Sequence, residues 1–585
     1  MYKQRVVLWG GIVRSKLVIF SLLLPLFLSA SSMKYLECES SGTFSESELY
    51  DALGLKQPAW YEFWKEKRPK INPKLTTSLL KSLENFYKSE GYYHARVQKK
   101  EDNATIFFSV KKGTPTVIKE IKSELESRYN ALISYEVGDR FNAQTFINIK
   151  RNIKKKLLED GYCNYNFDAK ARVDIEKNIT FIHYQLQKNA PCKFGKITIT
   201  KPEDISQKVV RSRLNFREGS PYSTKRINES YSTISGLEAF DGIQLSQERK
   251  SDIIDINIDL KKKSKRIRQE VGIGYETNLG PKGIFRWEER NFKGNARKLA
   301  FNLKYSQKEK YIKNTYFSPA LLKAPYKEGY YLDLKNEFVY SEYDFENFDE
   351  VKYADYIHLL KDYHLFSVDM GLGLEKIRIE KKGDACNVSG GNFLLLFPFL
   401  NIIIDTRDSK INPKNGLYLS AYIESGLKYL ASSTSYSKFI TESRLIKTVE
   451  KFTFAAKAKL GLINEFEKSL PESKLFFAGG AFSNRAYGYN RLGASDSMCD
   501  EVGAKTLIDT TVEVSHPLYK NIDVALFYDA TMISEKSFTF TIDFIHAAGL
   551  GFRYLTPIGP VKIDFGMNIE DKDQYALHFQ IGQSF

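Results

Sequence analysis

The residues from which a catalytic or metal site would be built are few and scattered. The 585-residue chain holds seven histidines and five cysteines. His183, His358, His364, His516, His546 and His578 lie far apart, mostly within alternating apolar stretches, where an imidazole reads as a half-exposed strand residue. No His/Cys cluster has ligand spacing, and neither a nucleophile elbow nor a phosphate loop occurs. No metal, cofactor or enzymatic reaction is therefore expected. Five cysteines are too few for a disulfide scaffold. Cys163 and Cys192 flank the strands of one segment closely enough to pair. Cys386 and Cys499 are a second possible bridge, and sequence alone does not settle connectivity.

Composition narrows the class. Hydrophobic residues make up 42% and aromatics 14%, which excludes wholesale disorder. A net charge of +16 would suit anionic partners, although a solvated basic face is the simpler account. Lys3, Arg5, Arg14 and Lys16 precede an apolar run from Leu17 to Leu28, and Ser29, Ala30, Ser31 and Ser32 come after it. That order predicts a secretory signal over residues 1–32. The run falls short of the roughly 20 residues a spanning helix needs. Cys38 lacks the small preceding residues of a lipoprotein site. An exported chain without a further apolar span is either soluble outside the cytoplasm or a β-barrel in a membrane.

The secondary-structure elements come in two kinds. Before residue 265 one pattern occurs three times with a period of about 75 residues, the mark of tandem domains. Helices are predicted over Leu75–Glu90, Phe146–Asp160 and Ile227–Leu237. The first two stop at Gly91-Tyr92 and Gly161-Tyr162, the third at Ala239-Phe240-Asp241. Strands close the segments at 106–110, 179–186 and 253–260. A shorter helix opens each segment, over Ser45–Gly54, Ser123–Leu132 and Glu203–Leu214, with Asp204 and Gln207 at capping-box spacing. Each segment reads β-α-α-β-β. The run Leu-Asn-Phe-Arg-Glu-Gly-Ser-Pro-Tyr-Ser (214–223), with Ile-Asn-Glu-Ser (227–230) and Gly-Leu-Glu-Ala-Phe-Asp (236–241), resembles a POTRA domain. The resemblance implies three periplasmic interaction modules, over 33–113, 114–191 and 192–265.

From residue 266 helical periodicity gives way to alternation. Leu299, Phe301, Leu303 and Tyr305 share one face, as do Leu417, Leu419, Ala421 and Ile423, and Tyr575, Leu577, Phe579 and Ile581. Alternation alone suits either a sandwich, apolar face inward, or an outer-membrane barrel, apolar face outward. Export, dense aromatics and length favour the barrel. At roughly 20 residues per strand and turn, the span 266–585 suits sixteen strands. The expected fold is α+β POTRA repeats followed by a 16-stranded antiparallel transmembrane β-barrel. The terminal Phe585, after alternating residues, resembles a barrel-assembly signal.

One loop separates this barrel from a porin. Phe-Phe-Ala-Gly-Gly-Ala-Phe-Ser-Asn-Arg-Ala-Tyr-Gly-Tyr (476–489) resembles the sixth extracellular loop of the BamA/TamA superfamily. Family members carry Arg-Gly-Tyr or Arg-Gly-Phe where this chain has Arg485-Ala486-Tyr487. Gly479 and Gly480 match, and Ala486 departs from the pattern. The resemblance implies that the loop enters the lumen and that Arg485 meets an acidic residue of a later strand, Asp529 by position. Segments 402–419 and 549–566 resemble the family's Asp-Thr-Arg-Asp turn region and near-terminal hairpin. Three modules, rather than five or two, resemble the TamA branch. Cys386 and Cys499 then fall in extracellular loops.

What the resemblance implies is a protein of the outer membrane with POTRA domains in the periplasm. It would insert or translocate unfolded client proteins of barrel or autotransporter type. A lateral seam would form between the first strand (Gly272, Gly274, Tyr275) and the last (Phe579, Ile581, Phe585). Implied partners are a TamB-like inner-membrane-anchored protein, unfolded outer-membrane clients and outer-membrane lipid, with no nucleic acid. The alternative is a two-partner-type secretion pore or a passive channel with periplasmic docking domains.

Overall fold

In the computed structural model the described residues are 33–39, 42–57, 68–276, 280–323, 331–345, 348–362, 365–383, 390–466, 470–496, 499–519, 521–556 and 559–581. The leader 1–32, Cys386, Phe585 and residues 557–558 of the near-terminal turn lie outside them, as do the side chains of Tyr275, Cys499 and Ile581.

Three small sheets precede the large one. In each, the first and last strands run parallel and the last two form an antiparallel hairpin. Lys34–Cys38 pairs with Thr105–Lys111, which pairs with Arg96–Glu101. Val117–Glu124 pairs with Ile179–Lys188, and that strand with Tyr165–Asp174. Lys193–Thr200 pairs with Ile253–Lys262, and that strand with Phe240–Lys250. Among the described residues two helices lie between the parallel strand and the hairpin each time, the longer being Thr76–Ser89, Ala143–Glu159 and Thr224–Ser235, and in the first sheet a short fourth strand, Lys70–Ile71, pairs antiparallel with Lys34–Cys38. Ala143–Glu159 buries Ile149, Ile153 and Leu157, a stripe at i, i+4, i+8 that pins its one apolar face to the sheet. Its basic face, including Arg151 and Lys154, stays in solvent.

Two local expectations are corrected. The opening helix of the second segment spans only Ser127–Asn130, because Val117–Glu124 extends the sheet through residue 124. That of the third spans Gln207–Arg211, with Ser206 rather than Asp204 at the N-cap position and no side-chain bond capping it. Asp204 has other partners. Its carboxylate accepts from Asn291 Nδ2 at 3.0 Å and its carbonyl from the Asn295 amide at 2.7 Å. A tertiary bond has displaced the local cap. The capping box of this chain is at Ser45–Glu48, where both reciprocal bonds form.

The glycines that stop the first two long helices also lie close against later backbone. Gly91 has φ +89°, and a Cβ there would meet the Phe141 carbonyl oxygen at 2.3 Å. Its own carbonyl accepts from the Thr116 amide at 2.8 Å. Gly161, at φ +98°, would place a Cβ 2.9 Å from the Tyr222 carbonyl, and it accepts from the Cys192 amide at 2.9 Å. Cys192 is joined to Cys163 by a disulfide.

The chain divides into two compact units, Met1–Leu157 with Tyr165–Lys188 and Leu158–Asn164 with Asn189–Phe585. In the second, sixteen antiparallel strands form one sheet in chain order. Strands 1 to 8 are Ile267–Glu276, Gly280–Arg290, Lys298–Ser306, Glu309–Lys323, Tyr331–Asp344, Phe348–Asp362, Phe366–Lys381 and Gly391–Asp405. Strands 9 to 16 are Asn415–Gly426, Tyr436–Val449, Phe452–Glu465, Thr506–Tyr519, Ile522–Ser534, Ile545–Thr556, Gly559–Asn568 and Tyr575–Ile581. Among the described residues no helix is long and apolar enough to cross a membrane. Exposure decides between the two readings of alternation. Ile273 of strand 1 is 93% exposed, Leu526 of strand 13 62% and Leu577 of strand 16 59%, whereas Asp529 and Asp564 on opposite faces are 0% and 1%. An apolar exterior around a charged interior is the pattern of a sheet in lipid. Among the described residues strand 1 hydrogen-bonds only to strand 2, and strand 16 only to strand 15.

The third small sheet is locked to the near ends of strands 2 to 5. The turn 291–297 holds Asn291, Lys293, Gly294, Asn295 and Ala296 at positive φ and hooks over Asp204. Ala296 and Ala320 complete the apolar core around Ile205, Val209 and Val210. Arg213 Nη2 reaches Asp333 Oδ1 at 2.8 Å with both side chains buried, and Asp333 Oδ1 also accepts from the Ala320 amide at 2.7 Å.

Two outcomes are expected. Removing one partner of a buried ion pair costs about 3–5 kcal/mol, so R213A should accelerate hydrogen exchange in Gln207–Arg211 and the 291–297 turn. Unchanged exchange would mean the pair does not support this junction. Burial, with Glu46 nearby, pushes the Cys38 thiol up from 9.0 to about 12. A raised thiol favours the folded state below pH 9 and loses that contribution as pH rises towards 12. In a C386S/C499S background at pH 8, maleimide should label Cys38 only after urea unfolding. Rapid labelling of the native protein would contradict its burial.

Candidate functional site

The loop between strands 11 and 12 is built to come back on itself. Phe476 and Ala504 exchange backbone bonds at 2.8 and 2.9 Å, and Ala478 and Leu492 at 2.7 and 3.0 Å, closing a stem. At its head, Gly479 and Gly480 adopt φ +93° and +108°. A Cβ on Gly479 would sit 2.4 Å from the Gly488 carbonyl oxygen, so close backbone approach as well as left-handed geometry requires glycine there. Ala486 is not among the positive-φ residues. Its methyl is buried and its amide donates to Asn484 Oδ1 at 3.2 Å. At this position the backbone of this chain makes no demand that only glycine meets.

The folded head delivers Arg485 to the inner wall. Its Nε and Nη2 donate to the two oxygens of Asp529 on strand 13, at 3.0 and 2.9 Å, and its own amide adds a third bond at 3.0 Å. This is the bidentate fork that a planar guanidinium makes and an ammonium cannot. Nη1 turns to Glu513 Oε2 of strand 12 at 2.8 Å. The guanidinium carbon lies 3.3 Å from the centre of the Phe527 ring. Glu513 also accepts from Arg553 Nη2 of strand 14, at 3.0 and 3.2 Å, and Arg553 Nη1 bonds Asp564 of strand 15. Lys562 Nζ stands 4.0 Å from Asp564. Three cations thus face three carboxylates, all buried. That balance is what a low-dielectric interior requires of charges taken out of water.

Small residues make room for it. A Cβ on Gly566 would strike the Arg485 carbonyl oxygen at 2.3 Å, and one on Gly549 the Phe527 ring at the same distance. His578 Nε2 of strand 16 lies 3.2 Å from the Arg485 carbonyl oxygen. Tyr487 accepts from Asn568 Nδ2 at 2.8 Å, and Asn484 donates to the Ile545 carbonyl at 3.0 Å. One loop is therefore tied to strands 12 to 16.

The structure brings Arg485, Ala486, Tyr487, Gly479, Gly480 and Asp529 into this one cluster. Gly272 and Gly274 lie on strand 1 and Phe579 on strand 16, and among the described residues these two strands do not pair with each other. Sequence reasoning missed Glu513, Arg553, Asp564, Asn568 and His578. Their signal was a charged or polar side chain on an inward position, which becomes specific only once register sets it beside the loop. The Asp-Thr-Arg-Asp run has a local task. Asp405 grips Arg407 through two bonds at 2.9 Å, and Asp408 accepts from the amides of Lys414 and Asn415, fixing the turn. The groups present offer hydrogen bonds and ion pairs. Among the described residues no group of His, Cys, Asp and Glu could hold a metal.

The chain has relatives among known proteins. The family model for the Omp85 superfamily domain matches residues 291–585. The chain is 20% identical over 599 residues to the outer membrane protein assembly factor BamA of Nitratidesulfovibrio vulgaris, which covers 94% of this chain and 73% of that protein. It is 21% identical over 346 residues to BamA of Buchnera aphidicola, spanning 56% of this chain and about half of that relative, 53%. The crystal structure of Haemophilus ducreyi BamA lacking POTRA domains 1–3 superposes with a TM-score of 0.51 at 17% identity, over 80% of this chain and 98% of that one, a likeness of fold. With half of its length matched by the family model, the chain belongs to the Omp85 superfamily, as an outer-membrane barrel with POTRA domains on the periplasmic side and no enzymatic reaction to run.

Proposed function

We propose that this protein assembles or translocates client proteins at the outer membrane, in the manner of a TamA-type subunit. Clients arrive unfolded from the periplasm, where the three POTRA modules (33–113, 114–191 and 192–265) receive them or a TamB-like partner anchored in the inner membrane. The barrel over 266–585 then exposes the edge of strand 1 at a seam with strand 16. A client strand pairs there before release into the bilayer.

The observation that carries this reading is the loop held on the wall of strands 12 to 16 by Arg485. A passive pore gains nothing from a loop wired into the strands beside its own closure. The energetics agree with the reading. An unpaired backbone group in lipid costs several kcal/mol, so an exposed strand edge is a template for an incoming strand without nucleotide hydrolysis. The BamA relatives carry the name of an assembly factor, which supports the broader activity. The TamA-type role and the partner rest on the count of three modules.

Three experiments test it. R485A leaves Glu513 and Asp529 short of their cation and should reduce client assembly in vesicles far more than it reduces the protein's own barrel content, with R485K intermediate because it loses the fork. Equal loss of both quantities would make Arg485 a structural residue only. Cysteine pairs joining 269–272 to 575–579 should block assembly when oxidised and release it when reduced. Full activity in the locked form would remove the seam from the mechanism, and an unchanged outer-membrane protein inventory after depletion would favour a dedicated secretion pore or a channel.

A further inference from the structure

The loop carries a second buried cation at the base of its stem. Lys474 ends the short turn Glu472–Lys474. Its Nζ lies 3.0 Å from Glu375 Oε2 on strand 7 and 3.0 Å from Glu424 Oε1 on strand 9, and 4.2 Å from the centre of the Phe397 ring on strand 8. Both carboxylates are oriented by phenols: Tyr356 donates to Glu375 at 2.6 Å, and Tyr422 and Tyr436 donate to Glu424 at 2.5 and 2.9 Å. Lys438 of strand 10 donates to the Lys474 carbonyl at 2.6 Å and lies 4.7 Å from the Phe476 ring centre. One ammonium thus meets two carboxylates, and a second is held on the carbonyl of the first.

This cluster is separate from the one around Arg485. It ties the stem to strands 7 to 10, whereas Arg485 ties the head to strands 12 and 13 and, through Glu513 and Arg553, to strands 14 and 15. Neither cation has a partner on strands 1 to 5 among the described residues. On that side the inner face is open instead. Arg268, Glu270, Arg286, Glu288, Lys304 and Lys313 of strands 1 to 4 line a cavity of about 430 Å³. One side of the inner wall is tied to the loop by ion pairs, and the other lines a cavity.

We propose that Lys474 is a positioning residue, the second of two ionic anchors that make this loop a strut. The strut holds strands 7 to 10 and strands 12 to 15 as one body. Movement of the barrel wall is then confined to the strand 1 to 5 side. That final step rests on the seam between strands 1 and 16 under the proposed function, while the strut itself does not. Ion pairs suit such a strut because each anchor is directional: a fork or a triad of acceptors fixes position as apolar packing alone does not.

The test uses the full-length protein in phosphatidylethanolamine/phosphatidylglycerol vesicles, in a C386S/C499S background. Spin labels at I423C and L526C report strand 9 against strand 13, and labels at L303C and L526C report strand 3 against strand 13. K474M alone strands two buried carboxylates and can fail to fold, so the decisive variant is K474M/E375Q/E424Q, which removes the charges together. The wild type should give a narrow 423–526 distance and a broad 303–526 distance. The triple variant, folded to the wild-type level, should broaden the 423–526 distribution and lose client assembly several-fold, and K474R should keep both near wild type. A 423–526 distance that stays narrow in the triple variant overturns the strut. A 303–526 distance as narrow as 423–526 in the wild type overturns the division into fixed and moving sides. Failure of the wild type to assemble any client would end the proposed function while leaving the distance measurement to judge the strut.

Discussion

Lipid offers a peptide group no hydrogen-bond partner, and this sheet is arranged around that fact. Every backbone donor and acceptor at membrane depth has to be met by a neighbouring strand. The side chains then sort by period: Val271, Ile273 and Leu526 outward, Glu270, Asp529 and Asp564 inward. Charge is thereby concentrated in the interior, where a carboxylate without a counter-ion is costly. The loop between strands 11 and 12 supplies counter-ions that the wall lacks. Arg485 offsets Asp529 and part of Glu513, and Lys474 offsets Glu375 and Glu424. The loop is in this sense part of the wall's electrostatics as well as an insertion into the lumen.

The smaller sheets obey a different rule, in which the glycine that stops a helix presents its backbone to a later residue. Gly91 accepts from Thr116 and Gly161 from Cys192, in both cases where a side chain would collide with a later carbonyl. At the third module the Gly236 carbonyl accepts from Lys298 Nζ of strand 3 at 3.2 Å. The residue that stops a helix is thus bound by a later residue three times, the last time by strand 3 of the large sheet. Arg213–Asp333 and the turn 291–297 strengthen that last contact, so the third module and strands 2 to 5 meet through a core and an ion pair rather than through a linker.

Much of this was legible in the sequence because it depends on local period. Stripes such as Ile149, Ile153 and Leu157, and alternations such as Tyr575 to Phe579, are written along the chain at 3.6 and 2 residues. Arg485 and Asp529 could be paired because a motif surrounds the arginine. Glu513, Arg553 and Asp564 could not, since each is a lone charge in its own strand and acquires meaning only when register sets Glu513 opposite Phe527 and Arg553 opposite Lys562. Asp204 shows the converse failure. Its spacing to Gln207 satisfied a local rule, but Asn291 and Asn295, far along the chain, compete for the same groups and hold them.

Ala486 bears on how such a motif should be understood. The Arg-Gly-Tyr pattern that this loop resembles suggests a backbone requirement, yet here the left-handed conformations sit upstream, at Gly479 and Gly480. Those two turn the chain so that Arg485 reaches Asp529, and Gly566 on strand 15 clears the volume its carbonyl occupies. What the motif has to preserve is the approach of one guanidinium to a carboxylate in a dry site, together with space for the backbone that carries it. An alanine methyl that fits a pocket already made by strand glycines leaves that approach unchanged. The ion pair therefore sets the geometry, and the residue beside it is free to vary within the room the wall provides.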